Sequence, residues 1–93
     1  MVIVKEDMNL IINEPVSVSL VSNYSINKIY PLWVKWKDRV YQIKKLGLHH
    51  TFRKGRVLFH VFSVATDSFF LRLKLNSENL SWRLEEVSDG FTE

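Results

Sequence analysis

The chain of 93 residues lacks cysteine altogether and contains only three glycines and two prolines. Without cysteine there are no disulfides and no thiolate metal ligands, so packing alone must stabilise the fold, and a reducing compartment such as the cytoplasm is the expected location. Three glycines leave little material for a phosphate-cradling loop. No apolar run approaches the length of a bilayer span, and the N-terminal residues lack the pattern of a signal peptide, so we expect no membrane segment.

Length and composition predict one globular domain. A chain of this size has no room for a second core, so residues 1–93 are expected to form a single domain, with loose ends at residues 1–8 and 88–93. The apolar fraction of 46% and the charged fraction of 25% are ordinary for globular proteins. This much apolar surface argues against extended disorder.

Positive charge is concentrated in the middle third of the chain. Residues 28–56 carry nine lysines and arginines against Asp38 alone, a net charge of +8, whereas the whole chain carries +3. The flanking residues 1–27 and 57–93 are net acidic, at −2 and −3. This asymmetry indicates an anionic partner, and a solvated charged face is the open alternative.

The residues from Ile29 onward form a series of short strand-like segments. β-branched and aromatic residues dominate "IYPLWVKW", "RVYQIKKLGLHHTF", "RVLFHVFSVA", "SFFLRLKL" and "LSWRLEEV", and "PVSVSLV" precedes them. No helical period of 3.6 residues interrupts the pattern. The sequence therefore predicts an all-β fold, a single small antiparallel meander of about six strands that curls into a partly open barrel of the SH3-like or a similar type.

Turn positions determine the two faces of the predicted strands. The predicted turns are Lys37-Asp38, Lys54-Gly55, Thr66-Asp67 and residues 76–79. Alternation outward from these turns collects one apolar face, which we predict to be the core. The predicted core residues are Leu32, Val34, Trp36, Tyr41, Ile43, Phe62, Val64, Phe69, Leu71, Leu73, Leu75, Leu80, Trp82 and Leu84.

The opposite face carries a second apolar set, which we call the hairpin cluster. Its members are Leu46, Leu48, Phe52, Val57, Phe59 and Val61. A fully solvated face would not hold such a set, so either the sheet curls over it or a partner covers it. Gly47 is well placed for a β-bulge that would bend this strand.

Three histidines raise the question of a ligand site. With Lys54-Gly55 as the turn, His49 lies opposite His60 on one face, whereas His50 points to the other face. Two imidazoles without a third ligand make a poor zinc site, so we expect a packed, hydrogen-bonded histidine pair and no metal. No nucleophile or phosphate-loop motif is present, so the sequence predicts no enzyme, no cofactor and no small-molecule substrate.

Basic and aromatic side chains on neighbouring strands are the ingredients of a nucleic-acid surface. Arginine and lysine neutralise phosphates, and aromatic rings stack on bases. We predict phosphate contacts by Lys35, Lys37, Arg39, Lys44, Arg53, Lys54, Arg56, Arg72 and Lys74, and stacking by Trp33 and Phe70. Lysines that guard strand edges against aggregation would explain the same charges without a ligand, and that alternative stays open.

Two segments carry a family resemblance. The stretch "VKWKDRVYQIKKL" places a tryptophan, a short polar turn and a tyrosine in order, and "FHVFSVATDSFFLRL" follows it. Residues 36–41 match in part the Trp-x-Gly-Arg-x-Tyr of an uncharacterised family of small β domains associated with translesion DNA polymerase-like proteins. The run from Tyr30 to Glu86 resembles this family, with Asp38 where the family has glycine. The resemblance implies a role in nucleic-acid metabolism and transfers no site residues.

These observations predict a non-catalytic β domain that binds nucleic acid through the basic surface of residues 28–56. The alternative is a protein-interaction or homodimerisation module whose contact surface is the hairpin cluster. A dimer would double the basic surface, so the two hypotheses are compatible.

Overall fold

The computed structural model describes residues 10–89, and all of their regular structure is β-strand. The seven strands are β1 (Leu10–Asn23), β2 (Lys28–Trp36), β3 (Arg39–Gln42), β4 (Lys45–Lys54), β5 (Val57–Ala65), β6 (Phe70–Asn76) and β7 (Ser81–Ser88). They form one sheet in the order β3-β2-β1-β7-β6-β5-β4, and every neighbouring pair is antiparallel. The prediction of an all-β antiparallel fold is confirmed, with seven strands in the sheet.

Two sequence expectations concern the chain ends and the membrane. Residues 1–8 and 90–93, which were expected to be loose, lie outside the described residues, and Ser88 is the last residue of β7. The described part of the chain contains no helix with the length and apolar character that a bilayer crossing requires.

The sheet curls because its two edge strands are consecutive in the chain. β3 and β4 lie at opposite edges, yet only Ile43 and Lys44 separate them. The Ile43 amide donates to the Leu32 carbonyl at 3.0 Å, and the Lys44 amide donates to the Ala65 carbonyl at 2.8 Å. One short segment therefore joins both edges, and the sheet forms a half-barrel. The predicted partly open barrel is confirmed.

β1 is shared between the two parts of the half-barrel. Its first half pairs with β7 and its second half with β2, beginning at Ser17 opposite Lys35. The register with β7 shifts around Asn13, whose φ of 51° interrupts the strand. Arg83 holds this irregularity in place, because its Nε donates to Asn13 Oδ1 at 2.8 Å and its Nη2 donates to the Asn13 carbonyl at 2.7 Å. A bulge of this kind lets one strand change direction between two partners.

The core lies on the concave face of the sheet. Alternate residues of β5, β6 and β7 point inward, and Leu73 lies directly opposite Leu84 with both side chains fully buried. The buried core residues are Val34, Phe62, Val64, Leu71, Leu73, Leu75, Trp82, Leu84 and Val87. Burying each large apolar side chain contributes about 1.5–3 kcal/mol, so this cluster is the main stabilising element.

Three of the hairpin turns lie one residue further along the chain than predicted. The β2–β3 turn is centred on Lys37 and Asp38, both with positive φ, as predicted. The β4–β5 turn is centred on Gly55 and Arg56 rather than Lys54 and Gly55, because Gly55, with a φ of 64°, takes the first central position. The β5–β6 and β6–β7 turns shift in the same way. Each shift moves cross-strand partners by two residues, so the side chains keep their predicted faces.

Two predicted core residues are exposed. Leu32 is 47% exposed because the β1–β2 register shifts beside it and Pro31 takes the buried position. Leu80 is 70% exposed because it lies in the β6–β7 turn with a φ of 61°. In contrast, Val61 of the convex face is buried beneath its neighbours, at 4% exposure.

Candidate functional site

β4 is the most exposed strand of the described sheet. All ten of its residues are exposed, and the edge that faces away from β5 has no strand beside it within residues 10–89. An unpaired edge presents backbone N–H and C=O groups that can pair with another chain. The β4–β5 hairpin is therefore the described element that is most open to a partner.

The predicted bulge at Gly47 is confirmed. The β4–β5 register shifts between Leu46 and His49, so that two residues of β4 face Ser63 alone. A Cβ atom on Gly47 would lie 2.8 Å from the Ser63 carbonyl oxygen, which is closer than any side chain tolerates. Only glycine allows the two backbones to approach in this way, and the bulge sets the direction of the rest of β4.

The end of the β4–β5 hairpin projects beyond the rest of the sheet, and we call residues 52–59 the arm. At its base Phe59 pairs with Asn76 of β6, and Ser77 donates its amide and its hydroxyl to the Leu58 carbonyl at 3.0 and 2.7 Å. Only residues 53–57 extend past these contacts. The rings of Phe52 and Phe59 stack with their centres 5.0 Å apart at the base of the arm. The exposed cations of the arm are Arg53, Lys54 and Arg56.

Arg72 and Lys74, which were predicted to contact phosphates, are neutralised within the sheet. Arg72 pairs with Glu86 and, at 3.6 Å, with Glu85, while Lys74 pairs with Glu85 at 3.2 Å. Carboxylates of β7 therefore compensate both charges. These are the ion pairs of the described part of the chain, so the nine basic residues of 28–56 have no carboxylate partner there.

Lys35, Lys37 and Arg39 form a second basic group, which we call the turn group, at the β2–β3 turn. The Lys37 ammonium lies 5.3 Å from the centre of the Trp36 ring. β3 and β4 form a nearly continuous extended segment with the turn group at one end and the arm at the other, roughly 40 Å apart along the chain. Lys44 lies between them, where the sheet closes. Six of the seven predicted phosphate contacts outside β6 thus fall into two groups, and Lys44 belongs to neither.

The two predicted stacking residues lie on different parts of the sheet. Trp33 is half-buried on β2 and Phe70 is 51% exposed on β6, with β1 and β7 between them. Trp33 pairs with Ser19 of β1, whereas Phe70 pairs with Ser88 of β7, so the two rings belong to different strand pairs. Sequence reasoning missed Tyr24, which is 95% exposed in the β1–β2 turn. The turn-forming residues Asn23 and Asn27 on either side of it were the available signal.

His49 and His60 form the expected hydrogen-bonded pair. Nε2 of His49 lies 2.9 Å from Nδ1 of His60, although the two residues are diagonal neighbours rather than directly opposite. The His49 ring also stacks on Phe62, with ring centres 4.2 Å apart. Within residues 10–89, no group of three or more His, Asp or Glu side chains could hold a metal ion.

Partial desolvation of the His49 ring, which stacks on Phe62 and His60, lowers the pKa of His49 below its ordinary value of 6.5, and the charges of His60, His50 and Lys28 lower it further. Below about pH 6.5 the unfolded chain therefore binds a proton that the folded protein resists, so stability is full above this pH and falls as the pH drops. Replacing His49 with phenylalanine keeps an aromatic ring on Phe62 and should weaken this dependence. Thermal unfolding between about pH 5 and pH 8 measures the effect.

The matched control for this prediction is His50→Phe, because His50 is exposed on the opposite face of the same strand. This variant should keep most of the pH dependence of the wild-type protein and lose only the part that the charge of His50 contributes through His49. If His49→Phe retained the full loss of stability at low pH, the lowered pKa of His49 would not be its cause.

A groove separates the β1–β2 hairpin from β4. Its volume is about 1050 Å³, and its lining includes residues between 22 and 30 on one side and residues 46–49 on the other, together with Phe62 and Ser63. Both walls are strand edges, because β2 pairs with β3 only from Trp33 onward and β4 pairs with β5 alone. Among the described residues, the half-barrel stays open at this groove.

The hairpin cluster does not lie on one face as predicted, because the bulge at Gly47 places Leu46 directly opposite Val64, on the face of the core. Its members are divided between the groove and the arm. Leu46 and Leu48, which are 47% and 75% exposed, line the groove and its rim. Phe52 and Phe59 cover each other at the base of the arm, and Val61 is buried. The two most exposed members of the cluster therefore lie beside the unpaired edge of β4.

No protein-family model, no curated protein and no solved structure matches this chain significantly. The resemblance of residues 30–86 to a family of small β domains stays a prediction. The arm, the groove and the charges around them are the observations from which a function can be inferred.

Proposed function

We propose that this protein is a non-catalytic β domain that binds nucleic acid through the basic surface of residues 28–56, with the arm as its main contact. The observation that carries the proposal is the crowding of Arg53, Lys54 and Arg56 on one hairpin end, without a carboxylate partner among the described residues. Cations this close repel one another, and phosphates relieve the repulsion. The absence of cysteine from the sequence supports a cytoplasmic location.

The shape of the arm supports the same ligand. A two-stranded β-ribbon fits into the major groove of B-DNA, and the arm is such a ribbon with its cations near the tip. Phe52, which is 40% exposed at the base of the arm, offers an apolar surface to an unpaired base. Both duplex and single-stranded ligands are therefore worth testing, and the turn group and Lys44 would add attraction at longer range.

Salt dependence is the first test of the proposal. If the three arm cations each neutralise one phosphate, raising the salt concentration from 50 to 200 mM should weaken duplex binding about 40-fold and single-strand binding about 20-fold. Fluorescence anisotropy with a labelled oligonucleotide of each kind measures both values. Failure of both oligonucleotides to bind at low salt would end the proposal.

A pair of charge-matched variants tests the role of the arm. The arm variant combines Arg53→Ala, Lys54→Ala and Arg56→Ala, and the control variant combines Lys35→Ala, Lys37→Ala and Arg39→Ala in the turn group. Since both lose three positive charges, non-specific attraction falls equally in the two variants. We expect the arm variant to lose about tenfold or more in affinity and most of its salt dependence, and the control to change by about twofold. Equal losses would remove the assignment to the arm.

A protein-interaction or homodimerisation module is the second candidate function. The observation that favours it is the unpaired edge of β4, with Leu46 and Leu48 exposed beside it. Sedimentation equilibrium at high protein concentration tests the homodimer version. A mass equal to one chain would remove that version and leave the nucleic-acid proposal untouched.

A further inference from the structure

We infer that the groove between the β1–β2 hairpin and β4 accepts an extended, acidic segment of another protein, which joins the sheet as an additional strand. This goes beyond the nucleic-acid proposal, because it uses the backbone edges in the groove rather than the arm. Residues 28–30 of β2 and residues 46–49 of β4 line the groove, and no described strand pairs with them on the side that faces it. A peptide between two such edges can form backbone hydrogen bonds with both.

The strand directions define how the segment would lie. Every neighbouring pair in the sheet is antiparallel, so the order β3-β2-β1-β7-β6-β5-β4 makes β2 and β4 run in opposite directions. A segment antiparallel to β4 is therefore parallel to β2. Antiparallel pairing is slightly more stable per residue, so we expect the β4 edge to set the register. The added strand would close the half-barrel where it is now open.

The size and shape of the groove favour a peptide over a small molecule. Its volume of about 1050 Å³ is at the upper limit of ordinary ligand pockets, and its two walls are strands. Successive side chains of an extended segment would point alternately into the groove and out to solvent. Those that point inward would meet Ile29, Leu46 and the stacked rings of His49 and Phe62. These positions favour apolar residues.

The charges around the groove favour acidic residues at the outward-facing positions of the bound segment. Lys28 lines the groove, Lys44 and Lys45 lie where β4 begins, and the described lining contains no aspartate or glutamate. A carboxylate directly across from a lysine on a neighbouring strand stabilises the pair, whereas a like charge destabilises it. A segment that alternates apolar and acidic residues matches both requirements.

The same charges disfavour a second copy of this chain as the occupant. Full antiparallel pairing of two β4 strands would place Lys45 of one copy opposite Lys54 of the other at both ends of the pair. Lysines on an edge strand ordinarily protect it from aggregation by this kind of repulsion. The lysines of β4 therefore disfavour pairing with basic and neutral strands, and they favour pairing with an acidic strand.

The experiment uses the full chain labelled with ¹⁵N and a capped synthetic peptide of alternating valine and glutamate. We expect saturable amide shifts at residues 28–30 and 46–49, together with slower hydrogen exchange of alternate β4 amides. Two control peptides separate the contribution of charge to binding from that of backbone hydrogen bonds. One replaces every glutamate by lysine, and the other is N-methylated at every amide so that it cannot donate to either strand edge; neither should bind.

Charge-reversal variants locate the site with net charge held equal. The variant Lys28→Glu with Lys45→Glu should weaken peptide binding about tenfold, whereas Lys37→Glu with Arg56→Glu, outside the groove, should change it by about twofold or less. Binding of the lysine or N-methylated peptide, equal effects of the two variants, or no binding at all would overturn the inference.

Two further outcomes would assign the groove to a different occupant, and each would also overturn the inference. A sedimentation mass of two chains, with β4 amides protected before any peptide is added, would assign the groove to a second copy. Displacement of the peptide by an oligonucleotide, with shifts at residues 28–30 and 46–49, would assign it to nucleic acid. Because the arm variants test nucleic-acid binding separately, failure of one proposal does not decide the other.

Discussion

Replacing Leu73 with alanine is expected to destabilise the protein by about 2–5 kcal/mol. Leu73 is fully buried and lies between Phe62 and Leu84 on the neighbouring strands, so its removal leaves a cavity at the centre of the sheet. Domains of this size are stable by about 5–15 kcal/mol in total, so the loss is a large fraction of the whole. The midpoint of thermal unfolding, followed by circular dichroism, should fall by roughly 10–30 °C.

Leu80→Ala is the matched control for Leu73→Ala. The chemical change is the same, but Leu80 is 70% exposed in the β6–β7 turn, so the expected effect is below about 0.5 kcal/mol. Urea unfolding of the two variants and the wild-type protein compares them directly. A Leu73→Ala variant as stable as Leu80→Ala would show that the concave face is not the core.

Replacing Gly47 with alanine is expected to cost about 1–3 kcal/mol and to disturb the groove. The new Cβ atom would lie 2.8 Å from the Ser63 carbonyl oxygen, which belongs to the backbone of β5 and cannot rotate away. Relief requires β4 to move away from β5 near the bulge. Urea unfolding measures the cost, and amide shifts around Ser63 should report the displacement.

The neighbouring substitution Leu48→Ala is the control, because it places alanine at the same bulge without adding an atom near the backbone of β5. Leu48 is 75% exposed, so this variant should retain nearly the wild-type stability, with a change below about 0.5 kcal/mol. If Gly47→Ala changed the free energy of unfolding as little as Leu48→Ala, the close approach of the two backbones would not be needed for the bulge.

Local patterns in the sequence predicted most of the strands and their faces. The alternation of apolar residues in β5, β6 and β7 is strong enough to place Phe62, Leu71 and Leu84 on the same face even where the turn was assigned one residue early. The faces survive such an error because the side-chain period of a strand is two residues. The β2–β3 register was correct because Lys37-Asp38 supplies both positive-φ positions of a tight turn.

Long-range pairing could not be predicted in the same way. The pattern of "PVSVSLV" indicates a strand, but not that β1 continues for 14 residues and pairs with β7 at the far end of the chain. Leu32 was predicted to be a core residue because it fits the alternation of apolar and polar residues in the sequence of β2. That alternation does not reveal the register shift between β1 and β2 at this position. The joining of both sheet edges by Ile43 and Lys44 likewise depends on contacts with distant strands.

The sequence predicted which types of residue form the candidate site better than it predicted where those residues lie. Counting charges identified the basic third of the chain, but it could not show that Glu85 and Glu86 would neutralise Arg72 and Lys74 from the neighbouring strand. The bulge at Gly47 was predictable from a single glycine inside a strand pattern. The groove was not, because its two walls come from segments far apart in the sequence and meet only when the sheet curls.

The most direct test of the proposed function is an amide-resolved NMR titration of the full chain with a short DNA oligonucleotide at low salt. We expect shifts concentrated in the arm, residues 52–59, which reverse when the salt concentration is raised from about 50 to about 200 mM. No shift at low salt, or shifts confined to the turn group around Lys37, would contradict the claim that the arm binds nucleic acid.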